Sequence, residues 1–476
     1  MQSNLILDTD SYKASHWLQY PPGTTQVYAY IEARSSHVDG VDATLFFGLQ
    51  AFLKTYLSRP VGADDLAEAR ELFAAHGEPF NLDGWQHILD HHGGWLPVEI
   101  RAVPEGSRVP LRQALVTIEN TDPAVPWLTG YLETALLRAI WYPTTVATIS
   151  RTAKETLRAA LERTSDDPAA SLAFKLHDFG ARGVSSAESA RLGGMAHLVN
   201  FMGTDTVEAI RAIRTCYGPA DGMPAFSVPA AEHSTMTMWG EAGELDAYRN
   251  MVRRFGRPGA IYSVVSDSWS LARAVDEHWG RTLRDEVRAA GGTLVVRLDS
   301  GDPADSIRYA LESLGRSFGF SVNGKGYRVL DGVRLLQGDG IDLSSLAHLC
   351  TAIADAGWSL DCFGTFGMGG ALLQKVNRDT FSFAQKASWG VVDGEARAIC
   401  KRPQGDPGKA SKAGRIASHR HRGDGRWCTA IEGTLDAGEW QPMLEPVWRD
   451  GKLLREQDFA DVRARAEAGF GRSAFP

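Results

Sequence analysis

The chain has 476 residues, of which 43% are hydrophobic and 23% charged, so it is long enough for more than one globular domain and does not have the composition of a disordered chain. A formal net charge of -8 argues against a general nucleic-acid binder, and no apolar run approaches the roughly eighteen residues of a membrane-spanning helix. The five cysteines are widely spread without a C-x-x-C pair, and the first residues lack the plan of a signal peptide, so we expect a reduced, cytoplasmic protein.

The first 148 residues predict a mixture of strands and helices. Hydrophobic and polar residues alternate over residues 26–34 and 98–103, a pattern typical of antiparallel strands with one buried face. Residues 64–75 predict a helix between them. We therefore assign residues 1–148 to the N-terminal part of an α+β domain.

A strand–loop–helix rhythm follows and supports an α/β fold over residues 149–384. Asp302 followed by Pro303 is a typical helix start, and Asp342 is a second candidate helix cap. Repeated units of this length imply parallel strands joined by right-handed crossovers, which place every C-terminal strand end at one face. We therefore predict a (β/α) barrel over these residues. Five short apolar runs are its predicted strands: 172–176, 261–265, 293–296, 333–336 and 358–363.

The last segment, residues 385–476, returns to the antiparallel character of the N-terminal segment. Asp393-Gly394 and Asp450-Gly451 each lie between strand-like stretches, which is the strongest short-range signal for a β-hairpin. The two ends of the chain are therefore predicted to form one antiparallel-rich α+β domain flanking the barrel.

Residues 397–426 are basic in a chain that is otherwise acidic. They contain nine Lys and Arg against two acids, interleaved with glycine, proline and serine. Such a run is either a solvated loop or a clamp for a phosphate-rich small molecule, and composition alone leaves both interpretations open.

Charged residues and glycines converge on one end of the predicted barrel. A single glycine–aspartate turn is more often only a turn, but five such clusters in phase predict a site at the face where barrel enzymes keep their chemistry. The residues placed there are Asp178, Arg182, Asp267, Arg297, Asp299, Asp339, Gly369 and Gly370.

Eight segments of the chain resemble the nicotinamide phosphoribosyltransferase family in order and spacing. The resemblance comes from many predicted strands and covers nearly the whole chain. It implies the type II phosphoribosyltransferase fold, an irregular α/β barrel with a second domain, and a homodimer with active sites at the subunit interface. The segments are DTDSYK at 8–13, KLHDFGARG at 175–183, GTDT at 203–206, SVPAAEHS at 227–234, SVVSDS at 263–268, RLDSG at 297–301, QGDG at 337–340 and GMGG at 367–370.

The resemblance implies a reaction in NAD salvage. The 5-phosphoribosyl group of 5-phosphoribosyl-1-diphosphate would be transferred to nicotinamide, giving nicotinamide mononucleotide and diphosphate. An oxocarbenium-like transition state needs anion clamps and flanking carboxylates rather than a nucleophile, and the pyridine nitrogen has a free lone pair and needs no general base. In agreement, the sequence has no nucleophile elbow, and it lacks the pair of adjacent acids of the other phosphoribosyltransferase class.

Matching positions in the family assign residues to the nicotinamide ring. Asp205 would accept from the carboxamide NH2 and Ser263 would donate to its oxygen. Phe179, and Tyr12 from the other subunit, would stack on the flat ring. Without the resemblance, the alternatives are that Phe179 is a core residue and Tyr12 a surface residue. Asp10 and His177 are also predicted to bind substrate, without a particular group being assigned to them.

The same matching assigns residues to the sugar and its phosphates. Gly338, Gly369 and Gly370 would offer backbone N–H groups to the 5-phosphate, helped by a helix that begins near Gly370. The ribose is assigned to two acids with two neighbouring bases: Asp299, Asp339, Arg182 and Arg297. The diphosphate is assigned to four cations, of which the last could also belong to a solvated loop: Arg34, Arg378, Lys386 and Lys401.

His233 receives its role only through the resemblance, because a histidine in such a loop is usually a hydrogen-bonded loop residue. The family implies that ATP phosphorylates His233, with Glu232 and Asp267 orienting the ring and helping to hold Mg²⁺. The expected cofactors are therefore Mg²⁺ and ATP, and the catalytic set is His233, Glu232, Asp267 and Asp299.

Two other functions share the scaffold. Nicotinate phosphoribosyltransferase is the first, and Asp205 argues against it because an ionised carboxylate would repel the carboxylate of nicotinate. A non-catalytic binding or signalling protein is the second, and the presence of all the charged rim residues argues against it.

Overall fold

The structure is a computed structural model that describes residues 4–218, 222–401 and 410–469. Residues 402–409 of the basic segment 397–426 therefore lie outside the described residues. No helix within the described ranges is long and apolar enough to cross a membrane. The chain divides into two compact units. The sheet unit contains Met1–Thr148, Ala212–Ala220 and Asn377–Pro476, and the barrel unit contains Ile149–Arg211 and Asp221–Val376.

The described residues form sixteen α-helices and twenty strands. Helices α1 to α16 are Leu49–Phe52, Ala63–His76, Leu82–His92, Leu128–Tyr131, Glu133–Thr164, Pro168–Leu172, Ala187–Leu198, Val207–Cys216, His233–Thr237, Glu244–Phe255, Leu271–Arg273, Arg284–Ala290, Pro303–Phe318, Leu343–Asp355, Gly370–Leu373 and Phe459–Ala468. Strands β1 to β20 are Thr24–Ala33, Ala43–Leu45, Val98–Ala102, Arg108–Pro110, Ala114–Asn120, Leu176–Asp178, Gly203–Thr204, Ile261–Val265, Thr293–Leu298, Phe320–Val322, Arg328–Leu330, Val333–Gln337, Phe363–Met368, Phe383–Val392, Glu395–Ala398, Ile416–His421, Trp427–Ile431, Trp440–Pro442, Glu445–Arg449 and Lys452–Leu453. Short 3₁₀ helices span Leu5–Leu7, Ser11–Leu18, Ala181–Gly183, Glu241–Gly243, Leu360–Cys362 and Arg378–Thr380, and π-helical turns span Leu53–Leu57 and Ala274–Thr282.

An antiparallel sheet of seven strands organises the sheet unit. Its order is β15-β14-β1-β5-β3-β19-β20, so three strands of the N-terminal segment form the centre and strands of the C-terminal segment flank them on both sides. Every residue of the central strand β5 is buried. Both predicted hairpins are confirmed, and their Asp-Gly turns have positive φ at Asp393, Gly394, Asp450 and Gly451, as a tight two-residue turn requires. The two chain ends therefore build one antiparallel-rich α+β unit, as predicted.

Six parallel strands organise the barrel unit, in the order β7-β6-β13-β12-β9-β8. An irregular segment lies between the two edge strands: Phe226 bridges to Gly203 of β7, and Ala230 bridges to Ser263 of β8. The sheet therefore curls round and is closed by residues 226–230, which confirms the predicted irregular α/β barrel.

Local signals placed several elements correctly. The predicted strand 261–265 has the bounds of β8. The Asp302 carboxylate accepts from the Asp305 N–H at 3.0 Å and begins α13, and Asp342 accepts from the Ser345 N–H at 2.8 Å and begins α14. Both caps therefore work as predicted, because each satisfies backbone N–H groups at the start of a helix.

The strand predicted at residues 172–176 is wrong. Asp167 caps a short helix, α6, by accepting from the Ala170 N–H at 3.2 Å, and Pro168 occupies its first turn. The helix continues to Leu172, and β6 begins only at Leu176. His177 and Asp178 therefore lie within the strand and not after it.

The strand predicted at residues 358–363 is also misplaced. Trp358 is fully buried, with the Arg328 guanidinium 4.0 Å from its ring, and the Ser359 side chain caps a 3₁₀ turn. Strand β13 therefore begins at Phe363 and extends to Met368.

Candidate active site

The predicted site residues of the barrel unit lie at or just after the C-terminal ends of its parallel strands. Parallel register brings these ends to one face of the barrel. In chain order the set is His177, Phe179 and Arg182 at β6, Asp205 after β7, Glu232 and His233 after the closing segment, Ser263 and Asp267 at β8, Arg297 and Asp299 at β9, Gly338 and Asp339 after β12, and Gly369 and Gly370 after β13.

Asp205 is held by two side chains through one carboxylate oxygen. His177 Nε2 lies 3.0 Å from Asp205 Oδ1, and the Ser227 hydroxyl donates to the same oxygen at 2.6 Å. Burial would raise the pKa of Asp205, but the hydrogen bonds from His177 and Ser227 and the nearby Arg297 charge outweigh it and lower that pKa. Asp205 is therefore an ionised, oriented acceptor, and its second oxygen can receive a further N–H.

Phe179 offers an aromatic ring beside this carboxylate. A Cβ on Gly367 would stand 2.1 Å from Phe179 Cε2, so only glycine lets the ring lie against β13. The Arg297 guanidinium lies 5.5 Å from the ring centroid, and the His177 ring lies 5.2 Å away. The half-buried ring is therefore fixed by its neighbours. It lies between His177, which contacts Asp205, and Arg297 at the end of β9.

Arg297 and Asp299 form a bidentate ion pair. The Arg297 Nε and Nη2 atoms donate to the two Asp299 oxygens at 3.1 and 2.6 Å. A Cβ on Gly338 would stand 2.7 Å from Asp299 Oδ1, so glycine allows the β12 loop to approach the pair. The Gly338 N–H donates to the Leu298 carbonyl at 3.2 Å, which corrects the expectation that this N–H is available to a phosphate. The glycine is needed here for its small size.

Asp267 carries a buried oxygen without a partner. Its Oδ2 accepts from the Asp299 N–H at 2.6 Å and from the Ser300 hydroxyl at 2.7 Å. Its Oδ1 is buried and has no hydrogen-bond partner among the described residues. A buried carboxylate oxygen without a donor is costly, and hard cations such as Mg²⁺ prefer such oxygen ligands. The donor set around Asp267 therefore fits Mg²⁺.

His233 begins helix α9 and lies beside the acids at the end of β9. Its Nδ1 lies 3.1 Å from the Ser268 hydroxyl, and its Nε2 lies 3.5 Å from Asp299 Oδ2. The Glu232 carboxylate accepts from the Ser234 hydroxyl. Ser268 and Asp299 therefore occupy the positions next to the ring that the sequence analysis gave to Glu232 and Asp267. The ring is about half exposed, with a side-chain exposure of 49%.

The remaining barrel residues differ in their availability. The Ser263 hydroxyl is buried and lacks a partner within the part of the chain that the structure describes, whereas Asp339 and Arg182 are exposed. Among the described residues, no acceptor takes the N–H groups of Gly369 and Gly370, and Gly370 has open space around it. Helix α15 begins at Gly370 as predicted but has only four residues.

Asp178 does not belong to the exposed rim. It is fully buried and accepts from the Gly180 N–H at 2.7 Å and the Thr204 hydroxyl at 3.2 Å, so it holds the loop that follows β6. Burial raises the pKa of this carboxyl group. Its role is to position the Phe179 loop, which corrects the expectation that it faces a ligand.

The sheet unit contains the cations assigned to diphosphate. Lys386 lies on β14 opposite Tyr30 of β1. Arg34 directly follows β1, and its Nε donates to the Ser382 carbonyl at 2.9 Å. Burial lowers the pKa of Lys386; the Glu133 carboxylate raises it, and neighbouring cations lower it further. Those cations are Arg34, Lys401 and Lys13. Three of the four predicted diphosphate ligands are therefore close enough to interact electrostatically.

The other predicted residues of the sheet unit are more exposed. Tyr12 is 56% exposed, with the His16 ring 4.8 Å from its own. Asp10 accepts from the Thr134 hydroxyl at 2.7 Å. The exposed Arg378 forms an ion pair with Asp379 at 3.0 Å. Each of these side chains can therefore be reached from solvent within its own unit.

Three serines make contacts that the sequence analysis did not assign. Ser227 binds Asp205, Ser268 binds His233, and Ser300 binds Asp267. All three lie inside the segments that carried the family resemblance. Ser268 and Ser300 each follow a charged site residue, which was the available signal, whereas Ser227 has no charged neighbour in the sequence. The partner of each hydroxyl is decided by packing between segments far apart in sequence.

Comparisons with known proteins agree with this architecture. The model of the nicotinate phosphoribosyltransferase (NAPRTase) family matches residues 174–436, and that of the nicotinamide phosphoribosyltransferase N-terminal domain matches residues 4–100. The crystal structure of nicotinate-nucleotide pyrophosphorylase from Pyrococcus furiosus has a similar fold, with a TM-score of 0.62 at 16% identity over 98% of this chain and 95% of that chain.

Two curated relatives carry the same name. Nicotinamide phosphoribosyltransferase from Xanthomonas campestris pv. campestris is 54% identical over 469 residues, which is 98% of each chain. Nicotinamide phosphoribosyltransferase from Acinetobacter baylyi is 33% identical over 490 aligned positions, covering 96% of this chain and 95% of the relative. The chain therefore belongs to the nicotinamide phosphoribosyltransferase family.

Proposed function

We propose that this protein transfers the 5-phosphoribosyl group of 5-phosphoribosyl-1-diphosphate to nicotinamide, as the names of its relatives indicate for those proteins. The products are nicotinamide mononucleotide and diphosphate, and the reaction salvages nicotinamide for NAD. The observation that supports the choice of acceptor is Asp205, an ionised carboxylate oriented by His177 and Ser227. A carboxylate accepts from the amide NH2 of nicotinamide and repels the carboxylate of nicotinate.

The reaction forms a bond from the pyridine nitrogen to C1 of the ribose and breaks the bond from C1 to the diphosphate oxygen. The ring would stack on Phe179, with Asp205 and Ser263 fixing its amide. Asp299 would hold ribose hydroxyls, and Arg297 holds that carboxylate in place through two hydrogen bonds. Positive charge that develops at C1 is stabilised by such a fixed carboxylate, and the leaving diphosphate by cations.

Substrate competition tests this proposal. The purified chain, with 5-phosphoribosyl-1-diphosphate and Mg²⁺, is given nicotinamide or nicotinate, and diphosphate release is measured. We expect kcat/KM for nicotinamide to exceed that for nicotinate by at least about 100-fold, because placing two like charges against each other costs several kcal/mol. Preference for nicotinate would assign the protein to the other acceptor, and no turnover with either would favour a binding protein.

His233 is proposed to couple ATP hydrolysis to the transfer. Its ring is half exposed and lies beside Asp299, where a phosphoryl group would add negative charge next to the substrate site. Mg²⁺ would be held by Asp267, with Glu232 as a second oxygen donor, and supplies positive charge that neutralises the diphosphate.

His233→Ala should therefore abolish ATP hydrolysis and the stimulation of transfer by ATP. Slow transfer without ATP should survive, because the groups that stabilise the charge at C1 are untouched. His348→Ala changes a histidine outside the site, on α14, and should retain full ATP hydrolysis. An unchanged ATPase rate in His233→Ala would refute the phosphohistidine.

A homodimer with shared sites is the third part of the proposal. Each barrel site would receive the partner subunit's Tyr12 for stacking and the partner subunit's Arg378, Lys386 and Lys401 for diphosphate. Tyr12 and Arg378 are exposed, and Lys386 and Lys401 belong to a cluster of cations. Residues of this kind are available to bind a substrate held by a second copy of the chain.

Heterodimers test the sharing. Chains with Arg378→Ala and chains with Asp299→Ala, each inactive alone, should form one intact and one doubly defective site when mixed. Differently tagged chains are co-purified, and product is measured per heterodimer. Recovery near zero in confirmed heterodimers would mean that each site is built from a single chain.

A further inference from the structure

The sheet unit contains a second cluster of polar side chains that takes no part in the proposed reaction. His87 and His92 lie on α3, and Asp122 lies in the loop that follows β5. His87 Nε2 is 2.8 Å and His92 Nε2 is 2.6 Å from the same oxygen, Asp122 Oδ2. Within the described ranges, these residues form the one group of three or more His, Cys, Asp and Glu side chains whose ligand atoms all lie within 4.8 Å of one another.

Asp122 is fixed before any ligand arrives. Its other oxygen, Oδ1, accepts from the Ala124 N–H at 2.8 Å. Its backbone carbonyl accepts from the Asn120 side chain at 2.8 Å, and the same amide also donates to the Thr25 carbonyl at 2.9 Å. The carboxylate therefore has one oxygen committed to the loop and one oxygen directed at both imidazoles.

Both histidines are positioned by α3, His87 in its middle and His92 at its end. His92 is the last residue of α3, and Gly93 ends the helix with a positive φ of 58°. The His91 ring packs 4.4 Å from the His87 ring and limits its rotation. Side-chain exposures of 29% for His87, 27% for His92 and 17% for Asp122 leave the cluster partly shielded and still open to solvent.

From this geometry we propose that His87, His92 and Asp122 form a binding site for a divalent transition-metal ion of the Zn²⁺ class. Two imidazole nitrogens and one carboxylate oxygen are a donor set that suits Zn²⁺ and does not suit Mg²⁺, which prefers oxygen ligands. Ligand atoms about 2.0–2.2 Å from a tetrahedral Zn²⁺ stand roughly 3.3–3.6 Å apart, so the two nitrogen–oxygen separations need to open by about 0.5–1 Å. The fourth position remains for water.

A bound ion would link the end of α3 to the loop after β5. Asp122 is 35 positions from His87 and 30 from His92 in the sequence, so all three ligands come together only when the chain is folded. An ion that binds the folded state and not the unfolded state raises the unfolding midpoint by mass action. The site is therefore expected to stabilise the sheet unit without entering the reaction.

Equilibrium dialysis against ZnCl₂ tests the site, with excess MgCl₂ present to occupy oxygen sites. Bound zinc is measured by mass spectrometry for the full chain and for His92→Gln, which can still donate to Asp122 but is a poor zinc ligand. We expect one fewer Zn²⁺ per chain in His92→Gln, and loss of the increase in thermal midpoint that Zn²⁺ gives the unaltered protein. Without zinc, the two proteins should unfold at similar temperatures.

His421→Ala is the matched control, because His421 also pairs with a carboxylate, Asp424, at 2.8 Å but without a second histidine. It should bind as much zinc as the unaltered protein. His87→Gln provides a second test of the same site and should repeat the loss. Equal zinc binding by the unaltered protein, His92→Gln and His87→Gln would overturn the proposal, as would a loss of equal size in His421→Ala.

Discussion

The charged side chains at the ends of the barrel strands and those around Lys386 of the sheet unit are arranged differently. At the ends of the barrel strands each central charge has a partner, since Arg297 and Asp299 form two hydrogen bonds and Asp205 accepts two. In the sheet unit, burial lowers the pKa of Lys386, the Glu133 carboxylate raises it, and three neighbouring cations lower it further: Arg34, Lys401 and Lys13.

The difference indicates two separate roles, one in the chemical step and one in substrate binding. Internally paired charges are oriented before a substrate arrives, so they suit the stabilisation of charge that develops during a reaction. A crowd of like charges is costly alone and is relieved by an anion, so it suits capture of a phosphate-rich substrate. We therefore expect substitutions of Asp205, Arg297 or Asp299 to affect kcat most. Substitutions of Lys386 or its neighbouring cations should mainly affect KM for 5-phosphoribosyl-1-diphosphate.

The largest effect is expected for Asp299→Ala. The change removes the carboxylate proposed to hold the ribose and leaves Arg297 without its bidentate partner. We expect kcat/KM to fall by roughly 10³-fold, in the range seen when one preorganised electrostatic group is removed. Steady-state kinetics measure it. Asp305→Ala, an exposed acid on α13 that pairs with Arg308, is the control and should retain activity. A loss below tenfold would contradict the expectation that the paired charges of the barrel strands stabilise the charge that develops in the reaction.

A smaller loss is expected for Lys386→Ala. Removing one charge-assisted contact to diphosphate should raise KM for 5-phosphoribosyl-1-diphosphate by about 10- to 100-fold, with little change in KM for nicotinamide. The dependence of that KM on salt should also weaken, since one fewer cation is screened. Lys452→Ala, an exposed lysine of the same unit, should change neither value. Equal effects on both substrates would contradict a dedicated diphosphate cluster.

Gly367→Ala should weaken nicotinamide binding through the Phe179 ring. The added methyl group would stand 2.1 Å from Phe179 Cε2 and force the ring to move. We expect KM for nicotinamide to rise about tenfold, the order of one aromatic contact. Phe179→Ala should cost a similar amount, and the double change should cost no more than either alone. Additive losses would show that the two residues act separately.

The smallest effect concerns alkaline pH. Because the pKa of Lys386 lies below its ordinary value, this lysine loses its charge earlier as pH rises than an exposed lysine does. Binding of 5-phosphoribosyl-1-diphosphate should therefore weaken on the alkaline side, and Lys386→Arg, which stays protonated, should move that decline to higher pH. Profiles of kcat/KM against pH for the two proteins measure the difference. Superimposed profiles would remove Lys386 from the diphosphate set.

Local chemistry decided which parts of the fold were predictable. Strand β8, the caps at Asp302 and Asp342 and both Asp-Gly hairpins depend on neighbouring residues, and the sequence contains all the signals for them. The strand misplaced at residues 358–363 depends on a distant partner, because Arg328 packs over Trp358. The closing segment 226–230 has no strand-like pattern and is recognised only from its two bridges.

The candidate site divides in the same way. Strand ends and family segments predicted which acids, bases and glycines meet at the barrel face. Burial then removed Asp178 from the rim, and a backbone hydrogen bond occupied the N–H of Gly338. Partners such as Ser227 and Ser268 were out of reach because their hydroxyls are brought to Asp205 and His233 only by tertiary packing. The catalytic roles assigned to the site residues stay predictions.

Asp205→Asn tests the central claim, that one oriented carboxylate selects the amide. The change preserves size and removes the charge, so the ratio of kcat/KM for nicotinamide to that for nicotinate should fall by about 10- to 100-fold, equivalent to roughly 1.5 to 3 kcal/mol for a charge-assisted hydrogen bond. The ratio is measured with both acceptors competing in one reaction. A decrease of the ratio by an amount within this range supports the account. A ratio that does not move would show that Asp205 is not the selecting group.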